Sequence, residues 1–427
     1  MTALVPTALP IQKRQRNTAL LVLIGLVFLI AVLPLAGLAI LALGGGTDDL
    51  RHLATTVLPA SALVTAQVML LVSLLTATVG VVCAWLVISF DFPFRRSLAW
   101  LLVLPVAMPA YIAAYSFVEF FHFTGPVQSA IRAVFGFKTN ADYWFPDIRS
   151  VWGAGFILSA VLYPYVYLAT RVVFLMQARN VADVARSLGA GPFRVFFHVL
   201  LPMARPAIVA GVALALMETL NDIGAVEYLG VRTLTFSVYN TWLARGSLAG
   251  AAQIALIMMI LVFALMAAES HARRQMRFAS GRSSSFGVHL ARRKLSRFWA
   301  LGAVFACLMP VLIGFGIPLF VLLGFALKRL DQAMAPQFHA ALGNSLLIGA
   351  VTAITTVLAA LFLMHAARVL RSGRITVLLR MASMGYALPG TVLAIGLLFV
   401  LGVADTWLNW ALKSALLPGP GLFFSGS

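Results

Sequence analysis

Residues 181–202, VADVARSLGAGPFRVFFHVLLP, form a basic, glycine-broken and proline-closed stretch between two apolar segments of membrane-crossing length. A tight turn would connect two such segments, so the short-helix pattern written into this stretch needs its own explanation. Asp183 opens a helical run, where a carboxylate is favoured by the positive end of the helix dipole. Gly189 and Gly191 close that run, because glycine takes the positive φ of a helix C-terminus without steric cost. Pro192 suits the first position of a second helix, which carries Arg194 and His198 before LLPMARP enters the bilayer. Two short helices meeting at a glycine make a knob that can enter a socket on another protein. An amphipathic hairpin lying on the membrane surface accommodates the same residues, and from them alone both readings stay open.

The chain around this stretch is 62% hydrophobic and only 10% charged, with a mean hydropathy of +0.98. A soluble protein carries about 25% charged residues, so composition points to an integral membrane protein. Runs free of Asp, Glu, Lys and Arg cover 18–43, 62–90, 150–170, 246–268, 298–327, 340–364 and 381–404. Each exceeds the roughly 20 residues that a helix needs to cross hydrocarbon. Two interrupted segments, 97–118 and 206–226, bring the expected spans to nine. Backbone groups in lipid need internal partners, so the expected fold is an all-α polytopic helix bundle embedded in the lipid bilayer.

The formal charge of +18 would suit nucleic acid, but its distribution does not. With the N-terminus placed in the cytoplasm, 22 of the 31 Lys and Arg residues fall in cytoplasmic segments. That asymmetry is the positive-inside rule, and no nucleic-acid partner is expected. Lys13, Arg14 and Arg16 precede an uncharged run of 26 residues, too long for the h-region of a cleaved signal of about 7–15 residues. Cys83 and Cys307 both fall inside expected spans, so neither a disulfide framework nor a CxxC metal site is available.

Residues 65–117 align without a gap to 345–397, anchored by Pro109 in LPVAMPAYIAAYSF against Pro389 in MGYALPGTVLAIGL. Pro34 and Pro318 pair in the same way in the first helix of each copy. Six expected spans precede the basic segment 269–297, so the second copy keeps the orientation of the first: a parallel internal repeat. The organisation expected is a first half at 1–268 with six helices, a flexible cytoplasmic linker at 269–297, and an incomplete second half at 298–427 with three helices. Counterparts of 148–268 would need roughly 120 further residues, so the chain is expected to be C-terminally truncated, with a second knob near 463–482 in a complete version.

The fifth span is the most informative. Its charge-free run, Pro206 to Met217, is too short to cross unless Glu218 and Asp222 are included. Carboxylates within a membrane cost about 2.5–3.5 kcal/mol and usually face a bundle interior or a watery path. Glu218 and Asp222 are four apart, hence on one helical face, and Gly224 permits a local break. With Asn221 and Glu227 they are candidate path-lining residues; pairing with an arginine from another span is the bland alternative. Tyr163, Tyr165 and Tyr167 surround Pro164, where interfacial placement outweighs metal ligation. Glu119 and His122 at the outer end of the third span read as a solvated cap before a gate. No metal site and no catalytic residues are expected.

The stretch at 181–202 resembles the Glu-Ala-Ala loop of ABC importer permeases. Asp183, Val184 and Ala185 stand for EAA, Gly189 for its glycine, and Val199, Leu201 and Pro202 for the I-x-L-P ending; Asp183 and Val184 are the departures. MPAYIAAYSF, GPVQSAIR, YWFPDIRS, LYPYVYLATR and LNDIGAVEYLGVRTLTFSVYNTW are similar to segments of the fused, two-halved permeases of the ferric-iron importer group. The resemblance implies an inner-membrane, type I ABC importer permease driven by two cytoplasmic ATPase subunits docked on such loops. It also implies a periplasmic binding protein that delivers ferric iron, with the acidic residues giving the path a potential suited to a trivalent cation. No GxxxxGK[ST] loop occurs, so no cofactor is expected on this chain and ATP belongs to the partner subunits; the chain itself is not expected to be an enzyme. Related permeases for thiamine or another small solute are the alternative cargo class. A secondary transporter driven by ion gradients is the more distant rival.

Overall fold

A computed structural model describes residues 10–46, 51–176, 185, 189–279, 292–370, 373 and 388–414. In chain order its main helices are α1 (Pro10–Leu43), α2 (Leu58–Ser89), α3 (Arg95–Leu101), α4 (Ala110–Phe121), α5 (Pro126–Phe135), α6 (Val151–Met176) and α7 (Leu201–Asn221). There follow α8 (Ile223–Tyr228), α9 (Leu234–Leu243), α10 (Leu248–Ala279), α11 (Arg297–Val311), α12 (Ile317–Lys328), α13 (Pro336–Leu370) and α14 (Gly390–Ser414). Among the described residues, eight helical stretches are long and apolar enough to cross a membrane. The protein is an all-α polytopic membrane bundle. Its only described strands, β1 (Phe90–Asp91) and β2 (Arg293–Lys294), make a short parallel bridge.

The third expected span, 97–118, is not a straight helix. Its place is taken by Arg95–Ala107 and Ala110–Phe135, two legs bent by 95° at Met108 and Pro109. Proline lacks the N–H that would continue the first leg and forces the residue before it out of the helical region. Met108 is accordingly extended, with φ −88° and ψ 117°. Pro109 then caps the second leg, accepting the Ala113 N–H at 3.0 Å; its repeat counterpart Pro389 accepts Leu393 N–H at the same distance.

The helices group into two compact units, one of residues 1–44 and 326–427, the other of 45–325. In the first, α1 lies along α14, with Gly37 close against the Gly396 carbonyl, and Ile24 is buried with Ala366 of α13. In the second, α6 is sandwiched between α2 and α7. A Cβ at Gly80 of α2 would stand 2.8 Å from Val166 Cβ, and one at Gly211 of α7 would stand 2.7 Å from Val166 Cα. Two glycines therefore admit the same turn of α6 from both sides, the small-residue packing by which helices associate in lipid. The helix α11 packs within this unit against α2 and α3.

Candidate translocation path and docking knob

A helix that stops within the membrane frees carbonyl groups that lipid cannot satisfy. The helix α7 stops at Asn221, because Asp222 leaves the helical region at φ −85° and ψ 93°. The Asp222 side chain accepts the Ala225 N–H at 2.8 Å and so starts α8 as an N-cap. The Thr235 hydroxyl donates to the freed Leu220 carbonyl at 2.8 Å. The sequence places Glu218 and Asp222 on one helical face and the break at Gly224; the structure corrects both points. An aspartate that caps the following helix makes the break two residues earlier, so Asp222 stands at a corner beyond α7. Gly224 has a different use: a Cβ there would meet Tyr111 Cβ at 2.8 Å, so its absence lets α8 approach α4.

The Asp222 corner faces the Pro109 corner across a cavity of about 100 Å³, lined by Glu218, Asp222, Tyr165, Met108, Pro109 and Ala110 among others. The first turn of α4 abuts this cavity, and the partial positive charge of a helix N-terminus there favours the two carboxylates. Among the described residues, no Lys, Arg or His forms an ion pair with Glu218 or Asp222. The arginine-paired alternative is thus absent from the described part. Asn221 does not line the cavity; its side-chain oxygen is buried and without a hydrogen-bond partner among the described residues. Glu227 is exposed on α8 and does not line the cavity.

Of the three tyrosines around Pro164, only Tyr165 reaches the cavity. Tyr163 and Tyr167 are buried in the core, and the Tyr167 hydroxyl donates to the Ala99 carbonyl at 3.0 Å. Tyr165 and the Pro109 corner are the lining elements that the sequence reading missed, although the pairing of Pro109 with Pro389 marked the corner. At the C-terminal end of α4, His122 Nδ1 lies 3.0 Å from the Thr124 hydroxyl in a tight turn. No group of three or more His, Cys, Asp or Glu able to hold a metal occurs among the described residues.

Asp183 and Val184 lie outside the described residues. Ala185 and the residues from Gly189 onward are described. Gly189 has φ +84°, and the Ala190 N–H returns to the Ala185 carbonyl at 3.0 Å, the six-to-one bond of a glycine-closed helix end. Gly191 is extended and Pro192 opens the next helix. That helix continues through a wide turn at Phe196–Leu200 into α7, giving one apolar stretch from Pro192 to Asn221. Pro202 follows the wide turn directly, where its missing N–H cannot sustain ordinary helical bonding.

The inner face of the knob is held by Trp85 of α2, whose ring lies 4.5 Å from Phe196 and 5.5 Å from Phe193. Ala185, Val199 and Leu201 pack against the same core, so they shape the knob from within. The outward face consists of Phe193, Arg194, Phe197 and His198, all exposed. Phe193 and Phe197 are four apart and 61% and 57% exposed, an apolar pair of which Phe193 also rests against Trp85.

Residues 76–278 match the family of binding-protein-dependent transport system inner membrane components. The chain is 22% identical over 339 residues to the Fe(3+)-transport system permease protein FbpB 2 of Haemophilus influenzae, covering 78% of this chain and 62% of that protein. It is 27% identical over 185 residues to the molybdenum transport system permease protein ModB of Escherichia coli, 42% of this chain and 77% of that one. It is 28% identical over 163 residues to the probable sulfate transport system permease protein cysT of Nephroselmis olivacea, 38% of this chain and 54% of that one. Among solved structures, a chain of a bacterial alginate ABC transporter, crystallised with an alginate pentasaccharide-bound periplasmic protein, matches with a TM-score of 0.50 at 15% identity. That match covers 64% of this chain and 97% of the other. The likeness is one of fold.

Proposed function

We propose, from the match of residues 76–278 to the family of binding-protein-dependent transport system inner membrane components, that this chain is the permease subunit of an ATP-driven importer and that its cargo is ferric iron. The observation that carries the cargo assignment is the Glu218–Asp222 pair, two carboxylates on one cavity at a helix break with no basic partner among the described residues. Oxygen ligands suit a hard cation, and a path that only loosely surrounds it lets it leave again. The outward Phe193–His198 face is the seat for a cytoplasmic ATPase subunit, which supplies the ATP chemistry that this chain lacks. A periplasmic binding protein delivers the cargo at the opposite face. The N-terminus is cytoplasmic, and residues 1–268 and 298–427 act as parallel halves of the permease.

The relative named for sulfate favours a second reading, an anionic cargo. Two carboxylates with no basic partner among the described residues repel an anion, which places that reading behind a cation. The test uses the full chain in nanodiscs with its ATPase subunits and binding protein. ATP hydrolysis should rise with binding protein loaded with a ferric chelate, and not with sulfate, molybdate or thiamine. Stimulation by one of those three instead refutes the cargo. Uptake that persists without the ATPase subunits and collapses with an uncoupler refutes the importer.

A further inference from the structure

The polarity of α5 is inverted for a helix in water. Its three polar side chains, Gln128, Ser129 and Arg132, are all engaged by the chain itself. Gln128 is buried and donates through Nε2 to the Phe121 carbonyl at 2.7 Å, an acceptor left over where α4 ends. Its Oε1 accepts the Tyr143 hydroxyl at 2.6 Å. Arg132 donates to the Phe123 carbonyl at 2.5 Å and to the Ser129 hydroxyl at 3.1 Å, with its guanidinium 4.0 Å from the Phe123 ring centre. These bonds fix which way the helix faces. Pro126, Ala130, Ala133 and Val134, at helical spacing, are left exposed on the other side. Val134 is 76% exposed and Phe135 68%.

The residues that follow carry the same apolar character. Gly136, at φ +74°, closes α5, and its N–H returns to the Arg132 carbonyl at 2.8 Å. Phe137 stacks on both Phe135 and Tyr143, with ring centres 5.8 and 5.2 Å apart. Trp144 is 85% exposed, and Trp152, in the first turn of α6, is 73% exposed. Single exposed apolar side chains are ordinary on any surface. A helix that bonds its polar side chains inward and turns an uncharged apolar face outward suits lipid instead. Its position agrees, since α5 directly follows one membrane leg and precedes α6, and tryptophans beside such ends sit at the headgroup level. The outward face of α5 also offers no charge or hydrogen-bonding side chain with which to orient a protein partner.

We infer that α5 is an interfacial helix, lying on the bilayer with its Ala130–Val134 face against the acyl chains and with Trp144 and Trp152 at the headgroup level. Helices of this kind bury their apolar face about 5–10 Å into the headgroup–acyl boundary. Held there, α5 anchors the far end of α4, the leg whose first turn abuts the Glu218–Asp222 cavity.

The test places a nitroxide at Ala130→Cys, Ala133→Cys or Val134→Cys, one at a time, with Asn140→Cys in the polar turn for comparison, in the full chain in phosphatidylcholine–phosphatidylglycerol nanodiscs. Cys83 and Cys307 are buried, and the unsubstituted chain serves as the blank. The three helix labels should be relaxed by oxygen in preference to a water-soluble nickel chelate, at a depth of about 5–10 Å, and the Asn140 label should show the reverse. Nickel access at the helix positions equal to that at Asn140 overturns the assignment. Adding a binding protein loaded with a ferric chelate should leave the three labels as mobile as before. Their immobilisation makes α5 a protein contact and also overturns it. A measurement free of substitutions uses phosphatidylcholine with a diazirine in its acyl chain. After photolysis the tryptic peptide Ala133–Lys138 should carry the lipid, and an unlabelled peptide overturns the assignment even where a cysteine variant fails to fold.

Discussion

Asp222 combines two functions that one atom's change separates. Its carboxylate caps α8 through the Ala225 N–H at 2.8 Å, and its charge faces the cavity that Glu218 shares. Asparagine is an equally good N-cap, so Asp222→Asn should leave stability within about 0.5 kcal/mol, whereas Asp222→Ala should cost about 1 kcal/mol. The transport effect follows from Coulomb's law. In a watery path, a carboxylate about 4 Å from a passing charge attracts it by about 1 kcal/mol per unit, hence by about 3 kcal/mol for a trivalent cation. That corresponds to more than a hundredfold in occupancy, and screening at about 0.15 M salt leaves a tenfold or greater loss of uptake. The assay pairs chemical denaturation in detergent with initial rates of iron uptake into proteoliposomes. The expected pattern is a large uptake defect in both variants and a stability defect in the alanine variant alone. Wild-type uptake in Asp222→Asn would refute the path assignment, and equal losses of stability and uptake in both variants would reduce Asp222 to a cap.

Gly211→Ala puts a methyl group 2.7 Å from Val166 Cα, and a normal contact of 3.4 Å requires α6 to yield by about 0.7 Å. Gly80 backs the same turn, so the shift is blocked and the variant should lose about 2 kcal/mol against denaturation; an unchanged midpoint would show that α6 has room. Phe193→Ala with Phe197→Ala removes the outward apolar pair, and co-purification of the ATPase subunit should fall at least tenfold while the melting temperature falls only by the loss of the Trp85 and Phe196 ring contacts. A melting temperature lowered as far as co-purification would assign these rings to the permease core instead. In the loop before α6, the Asp142 carboxylate accepts the N–H groups of Thr139 and Lys138, which hold its pKa below the usual carboxylate range. A depressed pKa stabilises the loop above the unfolded carboxylate pKa and loses that effect as pH falls through the folded value. Exchange protection of those two amides, corrected for intrinsic rates, should therefore decline only in acid, and Asp142→Asn should abolish that pH dependence.

Fold class was legible because length and hydropathy decide it: an uncharged run such as 62–90 has no stable place except inside the membrane. The turn at Gly189 and the helix start at Pro192 were legible for a similar reason, since each residue permits little beyond the conformation that it takes. Periodicity failed where polar side chains replace backbone bonding. Nothing in the 3.6-residue pattern says that Asp222 will cap α8 or that Thr235 will answer the Leu220 carbonyl, and these contacts set where α7 ends. The bend at Pro109 lay within reach, because two prolines four residues apart rarely share a straight helix. Tyr165 was not, as its separation from Tyr163 and Tyr167 depends on which side of α6 faces the two helix breaks.

ATP-driven uptake of radioactive ferric iron into proteoliposomes, with the chain, its ATPase subunits and binding protein present, tests the central claim most directly. The account predicts uptake that needs ATP, ignores an uncoupler, and falls at least tenfold in Glu218→Gln/Asp222→Asn while ATP hydrolysis is retained. Uptake undiminished in that double variant, in an assembly of normal composition, would contradict it.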